Sequence, residues 1–307
     1  RDPELDGATD DCNFGDWLSL GDVKTPIQFI DLAYHAYCAR LMAEMATAIG
    51  EKKQAAAYQA DAAKVTAAWQ KIYLKPDASL TVHNQSTYAM ALFFDLIPEA
   101  KRAASAAHLA KLVKDNGNKM TTGFLGTRPL LPALSAHGHH DIAGILIQQR
   151  EFPSWGYEVD NGATTIWERW NSYIKGKGVH TPEMNSFSHY AFGAVCEWMM
   201  GELAGIDRAA PGFDRVRIAP RPTGTITHAA ASMETRHGKL ACSWKIVDGV
   251  FTADIIVPPN TSADVILPVK GELKEKGNAI VIGNGIRKQD GKQLLLGSGT
   301  YQFSAAL

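Results

Sequence analysis

The chain has 307 residues, of which 46% are hydrophobic and 21% are charged, and its formal net charge is -1 at pH 7. This composition is typical of a globular protein with room for two domains, and it excludes a disordered or fibrous chain. Lys and Arg are scattered, so the basic face of a nucleic-acid binder is absent. No apolar run is long enough to span a bilayer, so we expect a soluble protein with no nucleic-acid or membrane partner.

Apolar residues recur at helical spacing from about Pro26 to Gly205. The first helix is expected to start at Thr25-Pro26, a capping residue followed by a proline that suits the first turn, and to end at Gly50. Further helices are expected at 53–73, 86–96, 100–116, 129–136, 141–149, 164–172 and 186–204. About eight helices in an up-and-down series predict a barrel of helical hairpins whose loops build a pocket.

The pattern changes at Pro211-Gly212-Phe213, where strand-like alternation replaces the helical period. The alternation is clearest at 215–218, 240–246, 251–257 and 263–267. Turn signals such as Asp248-Gly249 separate these segments, and short strands at this spacing predict a β-sandwich. We therefore expect two domains, a helical one over residues 1–208 and a sandwich over residues 209–307.

Four cysteines lie far apart and form no Cys-x-x-Cys pair: Cys12, Cys38, Cys196 and Cys242. Their neighbours are mostly apolar, which favours small buried side chains over a disulfide framework. Unpaired cysteines favour a reducing cytoplasm, although the compartment stays open and includes the periplasm.

The sequence contains no GxGxxG, Walker A, HExxH or GxSxG motif, so the common cofactor and hydrolase signatures are absent. The cluster His137-Gly138-His139-His140-Asp141 contains metal-binding residue types. It lies just before a predicted helix that Asp141 is suited to cap, so we interpret it as a turn and expect no metal.

Residues 153–171 combine three Trp, one Tyr, two Glu and one Asp in a predicted loop that runs into a helix. Carbohydrate sites need such a mixture, because flat aromatic faces cover the apolar side of a sugar and carboxylates serve its hydroxyls and acid–base chemistry. Glu168, flanked by Trp167 and Trp170, is the candidate for that chemistry. In the alternative, the segment is an amphipathic helix with core tryptophans and a solvated Glu168–Arg169 pair.

Two further clusters carry candidate residues. In Asn13–Leu18, either Asp16 binds sugar hydroxyls and Trp17 stacks on the sugar, or a capping Asp lies beside a core Trp. In Met184–Tyr190, at the start of the last predicted helix, His189 either points into the pocket or is a core or capping residue.

These clusters, in this order, resemble the bacterial α-L-rhamnosidases of glycoside hydrolase family 78. The resemblance covers most of the chain, and its most specific blocks are Thr-Thr-Ile-Trp-Glu and Met-Asn-Ser-Phe. The matching segments are Phe14-Gly15-Asp16-Trp17-Leu18, Thr121-Thr122-Gly123-Phe124-Leu125-Gly126-Thr127, Ala163-Thr164-Thr165-Ile166-Trp167-Glu168-Arg169-Trp170, Met184-Asn185-Ser186-Phe187-Ser188-His189-Tyr190-Ala191 and Pro211-Gly212-Phe213.

The resemblance implies part of an (α/α)6 barrel followed by a C-terminal β-sandwich. It also implies hydrolysis of terminal α-L-rhamnosides with inversion, without a metal or an organic cofactor. Glu168 matches the general base, which activates the attacking water, and His189 matches a histidine that contacts the substrate. The other implied contacts are Trp17, Trp155 and Trp167, as aromatic walls of the rhamnose site, and Asp16, as a hydroxyl contact.

The sequence departs from this family at the general acid. The acid belongs to a motif rich in Arg, Gly and Trp well upstream of the Gly-Asp-Trp loop, and residues 1–12 contain no match. About eight helices also fall short of six hairpins. An inverting hydrolase needs two carboxylates about 6.5–9.5 Å apart, of which this chain supplies one unless Glu158 or Asp160 substitutes. Because the chain also opens with Arg1 rather than Met, we expect a missing N-terminal portion of the same protein to complete the barrel.

Two alternatives stay open at this point. The first is another exo-glycosidase with a helical barrel, such as an unsaturated-uronide hydrolase, although such an enzyme does not need the trailing sandwich. The second is a sugar-binding protein that has the aromatic pocket but performs no chemistry.

Overall fold

A computed structural model describes residues 14–307, so the predictions made for Cys12 and Asn13 lie outside the described residues. The chain divides into two compact units, of which the described parts are residues 14–195 and 196–307. The domain boundary expected between residues 208 and 209 stays a prediction. None of the helices between residues 14 and 307 combines the length and the apolarity that crossing a bilayer requires.

The first unit is built from helices joined by short loops. Its first two helices pack against each other as a hairpin, in which the rings of Phe29 and Trp69 meet edge to face with centroids 5.3 Å apart. The helices are α1 (Ile27–Ala48), α2 (Lys52–Tyr73), α3 (Gln85–Phe93), α4 (Glu99–Asp115), α5 (Phe124–Ala136), α6 (His140–Gln148) and α7 (Trp155–Asp160). A 3-10 turn (Ala191–Ala194) follows in the first unit, α8 (Val195–Trp198) spans the boundary, and a π-helical turn (Met199–Leu203) belongs to the second unit.

The helices predicted between residues 26 and 149 are present, within a few residues of their expected ends except at α5, which begins earlier. Two caps differ from expectation. Pro26, not Thr25, occupies the N-cap of α1. His139 occupies the N-cap of α6, and Asp141 lies in the first turn, where its negative charge favours the positive end of the helix.

Between residues 153 and 190 the sequence prediction is wrong. A helix was expected at 164–172, but the helix is α7 at Trp155–Asp160, in the part expected to be a loop. Ser154 caps α7 by accepting a 3.0 Å hydrogen bond from the Tyr157 N–H. The helix expected at 186–204 begins only at Ala191, because the backbone before it pairs with the segment around Glu168.

The cysteine prediction holds for one of the three described residues. Cys242 is buried on a strand, and burial raises the pKa of its thiol to about 12. Cys38 and Cys196 are exposed, so the expectation of burial is wrong for both. Cys38 lies on a face of α1 that no other described element covers, as shown by its exposed neighbours Met42 and Met45.

The second unit contains two sheets, which confirms the predicted β-sandwich region. One has the strand order β10-β9-β13-β7-β6-β5 and the other β11-β12-β8-β4-β3, and every pairing is antiparallel except β4 with β8. Buried residues alternate along the strands, as in β7, where Phe251, Ala253 and Ile255 face inward. The strands are β3 (Ile206–Arg208), β4 (Arg215–Ile218), β5 (His228–Thr235), β6 (Gly238–Val247), β7 (Val250–Val257), β8 (Ser262–Ile266), β9 (Lys274–Glu275), β10 (Asn278–Ala279), β11 (Ile286–Asp290), β12 (Gln293–Leu296) and β13 (Gly299–Ala306); the two-stranded β1 (Tyr173–Ile174) and β2 (Gly178–Val179) belong to the first unit.

Candidate active site

Asp16 joins the Gly-Asp-Trp loop to the start of α5. Its Oδ1 accepts hydrogen bonds from the backbone N–H groups of Leu125 and Gly126, both at 2.9 Å. Its Oδ2 accepts one from the Gly123 N–H at 2.9 Å and one from the Ser86 hydroxyl at 2.5 Å. The first amides of a helix have no partner within the helix, so this carboxylate, 7% exposed, caps α5 from a distant loop. Its role as a hydroxyl contact stays a prediction.

The junction between this loop and α5 also places Trp17 at the surface. The Phe124 N–H donates a 3.0 Å hydrogen bond to the Trp17 carbonyl, and a Cβ at Gly123 would overlap that oxygen, so only glycine permits the close approach. The Trp17 side chain is 39% exposed and lines a cleft of about 450 Å³ whose wall includes Arg169 and Met184. An exposed indole beside a cleft can stack on a sugar ring.

The other tryptophans are more deeply buried. Trp155 is 9% exposed, and its indole N–H donates to the Phe192 carbonyl at 3.0 Å. Trp170 meets Trp155 edge to face and stacks on Phe192 with ring centroids 3.9 Å apart. Trp167 is also buried and contacts the ring of Phe187 edge to face. Trp155 and Trp167 are therefore packed below the protein surface, and their direct contact with a sugar stays a prediction.

Glu168 lies on a non-helical segment that pairs with the segment carrying His189. The Glu168 N–H donates to the Ser186 carbonyl at 2.9 Å, and the His189 N–H donates to the Ile166 carbonyl at 2.9 Å. The two hydrogen bonds bring the two predicted functional residues onto neighbouring segments. The Glu168 side chain is half-buried, and its carboxylate forms no hydrogen bond or ion pair with residues 14–307. No described protein group therefore occupies its oxygens.

The stretch between the paired segments closes on itself. The Ser172 carbonyl accepts hydrogen bonds from the His180 N–H at 2.9 Å and from the Asn185 side-chain amide at 3.0 Å. The β1–β2 hairpin forms the tip, with Gly176 at a positive φ of 81°. The hydrogen bonds to the Ser172 carbonyl therefore close this loop between the hairpin and Glu168.

His189 is half-buried and has aromatic neighbours on two sides. Its ring lies 4.7 Å from that of Phe124 and stacks on that of Tyr190 at 5.4 Å. The Ala191 N–H donates to Nδ1 at 3.4 Å, which favours the tautomer with the proton on Nε2. The expectation that His189 lies in the first turns of a helix is wrong, because it precedes the 3-10 turn.

Two protein-family models match the chain. Residues 1–203 match the model of the bacterial α-L-rhamnosidase six-hairpin glycosidase domain, and residues 205–280 match that of the bacterial α-L-rhamnosidase C-terminal domain. The chain belongs to the bacterial α-L-rhamnosidase family. The chain's fold is part of an (α/α)6 barrel followed in sequence by a β-sandwich, as the resemblance implied.

Several α-L-rhamnosidases are similar to nearly all of this chain. That of Streptomyces avermitilis is 41% identical over 292 residues, and the match covers 95% of this chain and 28% of that protein. One from Formosa agariphila is 35% identical, with 95% and 33% covered. The crystal structure of the Streptomyces avermitilis protein complexed with L-rhamnose has a TM-score of 0.87 at 40% identity, covering 96% of this chain and 28% of that one. The native Aspergillus terreus α-L-rhamnosidase has a TM-score of 0.84 at 30% identity, covering 95% and 33%. This chain therefore spans about a third of the length of these relatives.

Residues that the sequence analysis did not select also line the site of this rhamnosidase-family chain. Phe124 and Tyr190 flank His189, and Tyr190 is 87% exposed. The Arg169 Nε donates to the Met184 carbonyl at 3.0 Å, which holds its guanidinium at the cleft beside Trp17. The Thr-Thr-Gly-Phe-Leu-Gly-Thr block was the available signal for Phe124. Nothing in the sequence pattern distinguished Arg169 from a solvated residue.

Glu158 and Asp160, the two residues that could substitute for the general acid, differ in their suitability as a proton donor. Asp160 is exposed and forms an ion pair with Arg150, whose hydrogen bond lowers the pKa of the Asp160 carboxyl. Glu158 is 2% exposed, and burial raises the pKa of its carboxyl to about 8. Asp160 is therefore ionised at neutral pH, and Glu158 is protonated but enclosed. Among residues 14–307, no three His, Cys, Asp or Glu side chains are grouped so that they could hold a metal ion.

Proposed function

We propose that the protein containing this chain hydrolyses terminal non-reducing α-L-rhamnose residues from rhamnosides, with inversion and with Glu168 as general base. The observation that carries the proposal is the half-buried Glu168 carboxylate, which has no partner among residues 14–307, on a segment paired with that of His189 in a chain of the rhamnosidase family. An acid–base residue needs this combination of a fixed backbone and an unoccupied side chain.

In the proposed mechanism, Glu168 accepts a proton from a water molecule as the water oxygen attacks the anomeric carbon. A second carboxyl group protonates the glycosidic oxygen on the opposite face of the sugar, and the bond to the leaving group breaks through an oxocarbenium-like transition state. The His189 Nε2–H donates to a sugar hydroxyl, and the exposed indole of Trp17 covers an apolar face of the ring. Trp155, Trp167 and Asp16 support these groups or contact the sugar directly.

We further propose that the general acid and the remaining barrel helices come from an upstream portion of the same protein. The support is an apolar stripe on α1, formed by Cys38, Met42, Met45 and Ile49, which are all exposed and recur at helical spacing. A helix in a globular domain normally buries such a stripe against another helix. The relatives are about three times as long as this chain, which leaves room for those helices.

The test is Glu168→Gln in the full-length protein, assayed on a panel of aryl glycosides that includes the α-L-rhamnoside. We expect kcat for the rhamnoside to fall roughly 10²–10⁴-fold, as is typical for loss of a general base, with little change in rhamnose affinity. Glu183→Gln, an exposed residue of the same loop, is the matched control and keeps wild-type kcat.

Three results would contradict the proposal. Turnover that survives Glu168→Gln would remove the base assignment. Preference of the wild type for an unsaturated uronide would favour the other exo-glycosidase, and rhamnose binding without any turnover would favour a sugar-binding protein. The anomer released first, followed by NMR, tests the stereochemistry, because inversion yields β-L-rhamnose.

A further inference from the structure

Glu158 is a buried acid that the proposed reaction does not use. It lies on α7 with 2% of its surface exposed, and its Oε1 has no hydrogen-bond partner among residues 14–307. A buried polar atom without a partner costs free energy and is uncommon in folded proteins. A hydrophobic side chain would avoid this cost, so the presence of a carboxyl here calls for a role.

The residue touches both ends of the segment that leads to Glu168. Its backbone carbonyl accepts hydrogen bonds from the Asn161 N–H at 3.1 Å and the Ala163 N–H at 3.0 Å, which fix the start of the segment. Its carboxyl lies against the backbone N–H of Trp167, the residue directly before Glu168. Glu158 therefore fixes the start of residues 161–168, which we call the base segment, through two hydrogen bonds, and its carboxyl faces the Trp167 N–H near the other end.

We propose that Glu158 is a positioning residue whose carboxyl, buried against the Trp167 backbone, fixes the base segment and thereby the orientation of Glu168. The inference rests on the proposed role of Glu168 as general base. The side chain of Trp167 packs on Phe187. Its backbone N–H is then the group through which Glu158 can fix the chain just before Glu168.

The protonation state of Glu158 decides whether this contact is stable. Burial raises the pKa of its carboxyl to about 8, and the Trp167 N–H offsets that effect only in part. No charged side chain is among the causes of the shift, and the exposed Arg150 and Asp160 side chains pair with each other. Ionisation above pH 8 therefore places a charge without a counterion in an apolar site, and the base segment loosens.

Hydrogen exchange of peptides covering residues 161–170 in the full-length protein tests the inference. Protection factors, corrected for intrinsic exchange rates, are compared at pH 6.5 and pH 9. We expect the wild type to lose roughly tenfold protection at pH 9, because the carboxyl is then mostly ionised. Glu158→Gln, which keeps an acceptor and cannot ionise, keeps its protection at both pH values. Glu158→Leu, which removes the acceptor, is deprotected at both.

Asp160→Asn on the same helix is the matched control and follows the wild type, because its carboxyl is exposed and pairs with Arg150. Equal protection of the wild type at the two pH values, or full protection of Glu158→Leu, would overturn the inference. If Glu158→Leu fails to fold, the comparison of wild type with Glu158→Gln decides alone. Hydrogen exchange does not depend on turnover, so failure of the base assignment and failure of this positioning role give separate results.

Discussion

Asp16 and Glu168 are both acidic residues beside a tryptophan, but their carboxylates have opposite surroundings. The Asp16 oxygens accept four hydrogen bonds from Ser86 and three backbone amides, whereas the Glu168 oxygens accept none from the described residues. A fully engaged carboxylate stabilises the fold, and an open one can take part in chemistry. The different surroundings follow from tertiary contacts that the sequence pattern around each residue does not encode.

Replacing Asp16 tests its structural role. In Asp16→Asn an NH2 group replaces one oxygen and faces backbone donors, so we expect a loss of about 1–3 kcal/mol in the free energy of unfolding. Chemical denaturation followed by tryptophan fluorescence measures it, with Asp22→Asn, exposed in the same loop, as control. Unchanged stability together with weaker rhamnose binding would instead show that Asp16 contacts the sugar.

At the scale of elements, the sequence predicted α1 to α6 well, because apolar residues recur at helical spacing in most of them; α3, by contrast, is buried at every position from Gln85 to Leu92. It failed between α7 and the 3-10 turn at Ala191–Ala194 for two reasons. α7 has only six residues, too few for a periodic signal, and its markers are the Ser154 cap and the Asn161-Gly162 end. The segments carrying Glu168 and His189 are then fixed by pairing with each other, which no local pattern reveals.

The same limits apply to the site. The residue types of Glu168, His189 and Trp17 pointed to carbohydrate chemistry before the fold was known, and the structure brings their segments together through Phe124. The burial of Trp155 and the capping by Asp16 could not be predicted, because both depend on partners more than 30 residues away, Phe192 and Gly123.

The junction of the Gly-Asp-Trp loop with α5 depends on close backbone approach at Gly123. In Gly123→Ala the added Cβ overlaps the Trp17 carbonyl, so we expect a loss of about 1–3 kcal/mol in stability, typical of overpacking, and weaker rhamnose binding as Trp17 moves. Unfolding midpoints and calorimetric binding measure the two effects. Gly21→Ala is the control, since its Cβ would make only ordinary contact with Thr121 at 3.5 Å. Equal results for the two variants would refute the argument.

At the scale of the whole molecule, the apolar stripe on α1 predicts how reactivity changes when the upstream portion is present. We expect Cys38 to be alkylated roughly tenfold more slowly in the full-length protein than in this chain alone, because helices then cover it. The experiment is done in a Cys12→Ser background, with exposed Cys196 as the internal reference and buried Cys242 unreactive. Equal Cys38 rates in the two proteins would show that the stripe has no upstream partner.

The closed stretch between Glu168 and Ser186 has a consequence for how such a protein can change over evolution and in the laboratory. The hydrogen bonds of Ser172 with His180 and Asn185 close the loop near its two ends, and its tip is a short hairpin around Gly176. These hydrogen bonds therefore separate a change in length at the tip from the segment that carries Glu168. New sequence inserted there would acquire contacts of its own while the segment carrying Glu168 keeps its pairing, which makes Gly176 a suitable position for diversification libraries or for an attached reporter.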